Sequence, residues 1–243
     1  MKLDDVKKLH LKRYREEFGY YLVEGEHLVL ELQKASLGNP LLRACELYVT
    51  PQYQNWHSPF QMHLIGMSHM SQVAETKNPQ GIVALVPILP TAPARKGERT
   101  IYLHEIQDPG NLGTILRTLA WFGNFRCLVG PESVDPYNPK VIRASAGAIF
   151  HVPLEIDVQL QALRDRFPRI ACLDLQGEDL RAPQFGKFDC YVFGNEARGI
   201  PHEEIASLGA KTYTINGTGA IESLNLAATV NMCVYELNRA AKK

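Results

Sequence analysis

The chain has 243 residues, 45% of them hydrophobic and 21% charged, with 26 basic side chains against 26 acidic ones. That composition supports a buried core and excludes an intrinsically disordered chain. The balanced charge excludes a protein that coats nucleic acid through a strong overall field, although a local basic patch remains compatible with RNA. No apolar run approaches the ~18 residues of a membrane span, and Met1-Lys2-Leu3-Asp4-Asp5 lacks the apolar core of a secretory signal. The five cysteines, Cys45, Cys127, Cys172, Cys190 and Cys233, share no spacing and sit in apolar segments. They read as reduced core thiols of a cytoplasmic protein.

The first fifteen residues carry Lys2, Lys7, Lys8, Lys12, Arg13 and Arg15 against Asp4 and Asp5. Val6, Leu9 and Tyr14 between them give an amphipathic helical pattern, whose basic side is either a solvated face or an RNA-facing patch. Tyr20–Glu24 reads as a strand closed by Gly25. Glu26 to Lys34 reads as a helix with Leu28, Leu32 and Ala35 on one stripe. Cys45–Thr50 and Gly81–Val86 read as strands. The stretch from Pro87 to Gly97 contains Pro87, Pro90 and Pro93, a spacing that forbids a helix and favours an extended linker. A first domain over residues 1–90, a linker over 91–98 and a second domain over 99–243 follow.

In the second domain the predicted strands are Thr100–Ile106, Arg126–Val129, Arg169–Leu175, Cys190–Phe193 and Lys211–Ile215. The predicted helices are Leu112–Phe122, Val141–Ala146, Leu160–Arg166 and Leu224–Ala240. Short apolar strands separated by helices imply an α/β domain with a parallel sheet covered on both faces. Ligands of such sheets bind outside the carboxyl ends of the strands, so the loops after Ile106, Phe193 and Ile215 are where chemistry is expected.

Each of those loops combines polar groups with glycine. The first, Gln107-Asp108-Pro109-Gly110-Asn111, is a turn in which Asn111 is suited to cap the next helix. Arg117 follows beside Leu116 and Leu119, where a guanidinium calls for an anion or a structural partner. In the second loop, Gly194 and Gly199 bracket Glu196 and Arg198 directly behind a buried strand. In the third, Asn216-Gly217-Thr218-Gly219-Ala220-Ile221-Glu222 has Glu222 where a dinucleotide fingerprint needs its last glycine, which excludes NAD binding. Ser223 and Asn225 open the apolar last helix, where free N–H groups grip polar ligands or the side chains simply cap.

Taken together, Asn111-x-Gly113-x-x-x-Arg117, Phe193-Gly194-Asn195-Glu196-x-x-Gly199 and Glu222-Ser223-Leu224-Asn225-Leu226 resemble the three ordered motifs of the SpoU/TrmH branch of the SPOUT RNA methyltransferases. The stretch Ser133–Lys140 with Arg143–Gly147 is also similar to that family. Lys12–Arg15 through Gly25 resembles the start of its N-terminal RNA substrate-binding domain, a small α/β module. The resemblance implies S-adenosylmethionine as cofactor, a parallel α/β domain with a C-terminal trefoil knot, and transfer of a methyl group to a ribose 2′-hydroxyl. It implies ribosomal RNA rather than transfer RNA as substrate, by analogy with relatives that carry an appended N-terminal domain. It further implies Asn111, Arg117, Glu196, Ser223 and Asn225 at the catalytic site, Leu173, Gly194, Ile215 and Leu224 at the cofactor, and a homodimer through the C-terminal domain. The apolar circumference of the last helix points to the same association. A catalytically silent RNA-binding or ribosome-assembly protein of this fold and a base-directed methyltransferase are the alternatives. The family usually has proline and then methionine where Asn216 and Gly217 stand, and losing that proline frees the loop backbone. The eight histidines show no metal-ligand spacing, so no metal is expected.

Overall fold

The structure is a computed structural model that describes residues 1–240. The chain divides into two compact units. The first comprises Met1–Pro90 with Asp135–His151, and the second Thr91–Val134 with the chain from Val152 onward.

The sheet of the first unit contains β1 (Tyr20–Glu24), β2 (Glu46–Val49), β3 (Gln61–Leu64) and β4 (Ile82–Pro87) in the order β1-β4-β2-β3. The all-apolar run Ile82–Val86 becomes an interior strand, antiparallel to β1 and β2, while β2 and β3 run parallel. Val6, Leu9, Tyr48, Met70, Val73, Val83 and Leu85 form one core cluster, and the helix Glu26–Gly38 buries Leu28, Val29 and Leu32. The first helical stretch is interrupted: Leu11 is extended (φ −96°, ψ 132°) between a short helical turn and the helix Lys12–Phe18.

The basic run is largely neutralised within this unit. Lys7 pairs with Asp4 at 3.0 Å, Lys8 with Asp5 at 2.8 Å and Lys12 with Glu16 at 3.5 Å. Arg15 is only 5% exposed. It donates to the carbonyls of Leu9 and His10 at 2.7 and 2.9 Å and pairs with Asp135. The Arg15 charge is therefore spent inside the fold. The segment Asp135–His151, read from sequence as part of the second domain, is held here by that pair and by the Tyr21 and Tyr137 rings at 4.7 Å.

The second unit has the expected parallel sheet. Its strands are β5 (Arg99–Leu103), β6 (Phe125–Val129), β7 (Leu154–Glu155), β8 (Ile170–Asp179), β9 (Cys190–Phe193) and β10 (Lys211–Thr214), in the order β10-β8-β9-β5-β6-β7. Every pairing is parallel. Strand β8 runs past the expected Leu175 because it bulges. Thr212 of β10 lies opposite Cys172, and the next residue, Tyr213, lies opposite Glu178. Gly177 makes the closure possible, since a Cβ there would stand 2.7 Å from the backbone of Thr212 and Tyr213. The segment 91–98 is fastened to this unit. The buried Arg126 pairs with Glu98 at 3.0 Å and donates to the Ala92 carbonyl at 2.7 Å. The helices Pro109–Phe122 and Leu226–Ala240 pack together, with Thr118 hydrogen-bonded to Asn231. Among the described residues, no helix is long and apolar enough to cross a membrane.

Candidate active site

Sheet order places Ile215 after β10, Leu173 near the bulge of β8, Gly194 after β9 and the loop after β5 side by side along one carboxyl edge. These four segments are far apart in the chain, and strand pairing alone makes them neighbours. A cleft of about 530 Å³ opens at this edge, lined by Gln107, Asp108, Asn111, Asn195, Glu196 and Ala197 together with Ser223, Leu224, Asn225 and Leu226. A volume of several hundred Å³ is ample for a cofactor-sized molecule.

The loop after β5 starts under constraint. Glu105 has φ 51°, the left-handed region that a side chain normally avoids. Its carbonyl accepts from Asn195 Nδ2 at 2.8 Å and from Gln107 Nε2 at 3.1 Å, and its carboxylate pairs with Arg198 at 2.6 Å. The helix then begins at Pro109, one residue after its cap. Asp108, not Asn111, is the N-cap, accepting the Asn111 N–H at 2.7 Å. Proline at the first helical position after aspartate is the sequence signal for that cap. Relieved of capping, the Asn111 side chain turns to the cleft.

Glu196 lies at the centre of the constellation. One carboxylate oxygen accepts the Asp108 N–H at 3.1 Å and the Asn111 Nδ2–H at 3.2 Å. The other accepts the Gln107 N–H at 3.1 Å. Asn111 Oδ1 in turn accepts from Asn225 Nδ2 at 2.9 Å. Asn225 Oδ1 accepts the Ala228 N–H at 3.2 Å, so Asn225 caps the last helix, which starts at Leu226 rather than at Leu224. A continuous relay Glu196–Asn111–Asn225 therefore joins all three loops. The middle loop itself is closed by backbone hydrogen bonds between Asn195 and Gly199, while Asn195 Oδ1 accepts the N–H groups of Ala197 and Arg198. A Cβ on Gly194 would meet the Gly199 carbonyl carbon at 2.5 Å, so only glycine fits there.

Of the residues expected at catalysis, Asn111, Glu196, Ser223 and Asn225 line the cleft and Arg117 does not. Arg117 is exposed on the helix Pro109–Phe122 and has no ion pair or hydrogen bond among the described residues. Its outward position follows from helical phase, because Leu112, Ile115, Leu116 and Leu119 take the buried face. Trp121, one turn on from Arg117, is 85% exposed. Of the residues expected at the cofactor, Leu224 lines the cleft, whereas Leu173, Gly194 and Ile215 lie on the same sheet edge outside its lining. Sequence reasoning missed Gln107 and Asp108, whose backbone N–H groups bind Glu196. Main-chain roles leave no residue-type signature.

The features above define a two-unit α/β protein whose second unit carries a polar ligand cleft at the carboxyl edge of a parallel sheet. Comparison with known proteins gives the family. The model of the SpoU rRNA Methylase family matches residues 98–235, and that of the MRM3-like substrate binding domain matches residues 2–84. The chain belongs to the SpoU rRNA Methylase family. It is similar to the 23S rRNA (guanosine(2553)-2′-O)-methyltransferase RlmP of Bacillus subtilis, with 30% identity over 97% of this chain and 95% of that protein. Among solved structures it resembles a TrmH-family protein from Porphyromonas gingivalis, with 28% identity, a TM-score of 0.83 and coverage of 98% of this chain and 96% of the other. It also resembles an AdoMet-bound rRNA methyltransferase from Sinorhizobium meliloti, with 25% identity, a TM-score of 0.80 and coverage of 98% and 94%.

Proposed function

We propose that the protein transfers the methyl group of S-adenosylmethionine to a ribose 2′-hydroxyl in RNA, with ribosomal RNA as the favoured substrate over transfer RNA. The observation that carries this reading is the Glu196–Asn111–Asn225 relay, which gathers the three motif loops around one cleft. The activities named for the similar bacterial enzymes support it.

The residues present suit such a cofactor. Apolar Ala197, Leu224 and Leu226 stand beside polar Asn111 and Ser223 in the cleft, and the absence of a side chain at Gly194 lets the loop behind β9 close against the Gly199 backbone. Leu224 would hold the cofactor from within the cleft, and Leu173, Gly194 and Ile215 from the adjoining sheet edge. S-adenosylmethionine supplies an activated methyl group, so the task left to the protein is to position the oxygen nucleophile and to remove its proton. Asn111 and Asn225 present their amides to the cleft, with Glu196 fixing the orientation of Asn111. A guanidinium has a pKa above about 12 and is a poor base, so Arg117 acts as an anchor for an RNA phosphate.

The outward Arg117 fits a homodimer. It shares an exposed helix face with Trp121, and Phe122 stacks edge-on against the exposed Tyr235 of the last helix at 6.3 Å between ring centres. Covering that apolar face with a second copy puts Arg117 at the subunit boundary, available to the cleft of the other copy. The same reading includes a trefoil threading of the C-terminal part and a cytoplasmic protein.

The test supplies isotope-labelled S-adenosylmethionine with unmodified ribosomal or transfer RNA, followed by digestion to nucleosides and mass spectrometry. Labelled 2′-O-methylribose from ribosomal RNA is the expected result. Label on a base refutes the ribose assignment, and label on transfer RNA alone refutes the substrate class.

A further inference from the structure

The loop Ile215–Leu224 supplies Ser223 and Leu224 to the cleft, yet little holds it. Residues 216–225 are exposed, and residues 215–224 make a single hydrogen bond among the described residues. In that bond Asn216 Nδ2 donates to Asp179 Oδ2 at 2.6 Å. Asp179 is the last residue of β8, opposite Thr214 in register. It is itself fixed: Oδ1 accepts the Arg181 N–H and Nε–H, both at 2.8 Å, and Oδ2 accepts from an Arg181 terminal nitrogen at 2.8 Å. Behind it, the Leu180 N–H donates to the Thr214 carbonyl at 2.9 Å, and Thr214 Oγ1 donates to the Leu175 carbonyl in the β8 bulge at 3.2 Å. The loop thus leaves the sheet from a rigid corner and is caught one residue later by a charged acceptor. Its far end is caught again by the Asn225–Asn111 bond.

We infer that Asp179, held by Arg181, is a positioning residue that fixes the cofactor-facing loop through Asn216. The inference rests on the reading that residues 215–224 border the cofactor. A flexible loop must be ordered on binding, and ordering it beforehand removes that cost from the affinity. Hydrogen bonds from the Arg181 side chain, then its backbone N–H, hold the Asp179 carboxyl well below the usual carboxylate range. The acceptor therefore stays ionised at any pH at which the protein works. Asn216 also carries the flexibility expected where a proline is absent, and a side-chain tether replaces the rigidity that a ring would give.

The test compares N216A, D179A and the double variant in the full chain, with circular dichroism confirming the fold. Hydrogen–deuterium exchange of residues 215–224 without cofactor is read first. Faster exchange in both single variants is expected, and exchange unchanged in N216A overturns the inference whatever the cofactor is. S-adenosylmethionine affinity by calorimetry is read second. Losing one hydrogen bond to a charged acceptor should weaken it about tenfold, with kcat at saturating cofactor unchanged and the double variant no worse than the worse single. Additive losses, or a fall in kcat without a change in affinity, overturn the coupling. If the wild-type chain binds no S-adenosylmethionine, the proposed function fails, while the exchange result still decides the tether. N216D sets a second carboxylate against Asp179 and should be worse than N216A.

Discussion

Replacing Glu196 by glutamine separates a positioning role from a proton-transfer role. The carboxylate accepts three hydrogen bonds, from the N–H groups of Gln107 and Asp108 and from Asn111 Nδ2. Glutamine keeps one acceptor oxygen. Set in the place that serves Asp108 and Asn111, that oxygen preserves two bonds, and the new amide nitrogen then faces the Gln107 N–H donor to donor. One lost bond at a site reached by water costs about 1 kcal/mol, which is about fivefold in kcat/KM, because 1.4 kcal/mol corresponds to tenfold. Alanine removes all three bonds and releases Asn111, so E196A should lose about another tenfold. A general base would contribute about 10²–10⁴, and E196Q would then lose that factor and flatten the alkaline-rising limb of the pH–rate profile. Single-turnover methylation at saturating S-adenosylmethionine across pH is the assay. A thousandfold loss in E196Q, or no loss in E196A, refutes the positioning role.

Other consequences can be measured independently. The side chains of Arg15 and Asp135 are 6% and 10% exposed, so D135A strands a buried guanidinium and should cost about 3–5 kcal/mol in urea unfolding; an unchanged midpoint contradicts the buried pair. Trp121→Glu should convert the proposed dimer to monomer in sedimentation, and a wild-type chain that sediments as a monomer removes that proposal. Burial pushes the Cys45, Cys127 and Cys172 thiols up to about 12 and raises Cys190 and Cys233 as well. A thiol reagent at pH 8 should therefore label none of the cysteines rapidly until the chain is unfolded, and rapid stoichiometric labelling would contradict the packing. Hydrogen bonding from Arg166, at 2.7 and 2.8 Å, holds the Glu155 carboxyl below its ordinary 4.5. The stability that this lowering adds is full above 4.5 and is lost as the pH falls from there through the depressed folded value, so the stability gap between wild type and R166M should close in acid and persist at pH 7.

Much of the second unit is legible because its strands are apolar runs bounded by polar loops. Cys190–Phe193 needs no adjustment, and the motif loops stand directly behind the strands that carry them. Short or polar elements are harder to read. Gln61–Leu64 has no β-branched residue, Leu154–Glu155 is two residues long, and Gly177 looks like a strand end when it is the residue that lets β8 close its bulge. Contacts between distant residues cannot be read from local pattern. The basic run looks available to RNA until Asp135, 120 residues on, takes Arg15. The outward direction of Arg117 is a matter of helical phase and was readable, since its four apolar neighbours already claim the inner face. The link from Asn111 to Glu196 and Asn225 depends on strand order, which neither spacing nor composition encodes.

The relay also sets a timetable for the chain. Asn111 meets Glu196 across 85 residues and Asn225 across 114, and its own strand, β5, gains its neighbour β9 only after the whole Asp135–His151 excursion has been made. During vectorial synthesis, at about 5–20 residues per second, the loop that holds Asn111 emerges several seconds before either partner. Until then its polar groups face water and the edge of β5 that β9 will cover stands open. Long-range parallel pairings of this kind close slowly. A nascent chain paused before Asn225 can therefore own a folded first unit and an incomplete relay, so on the proposed function activity appears as a late, all-at-once event in the maturation of the molecule.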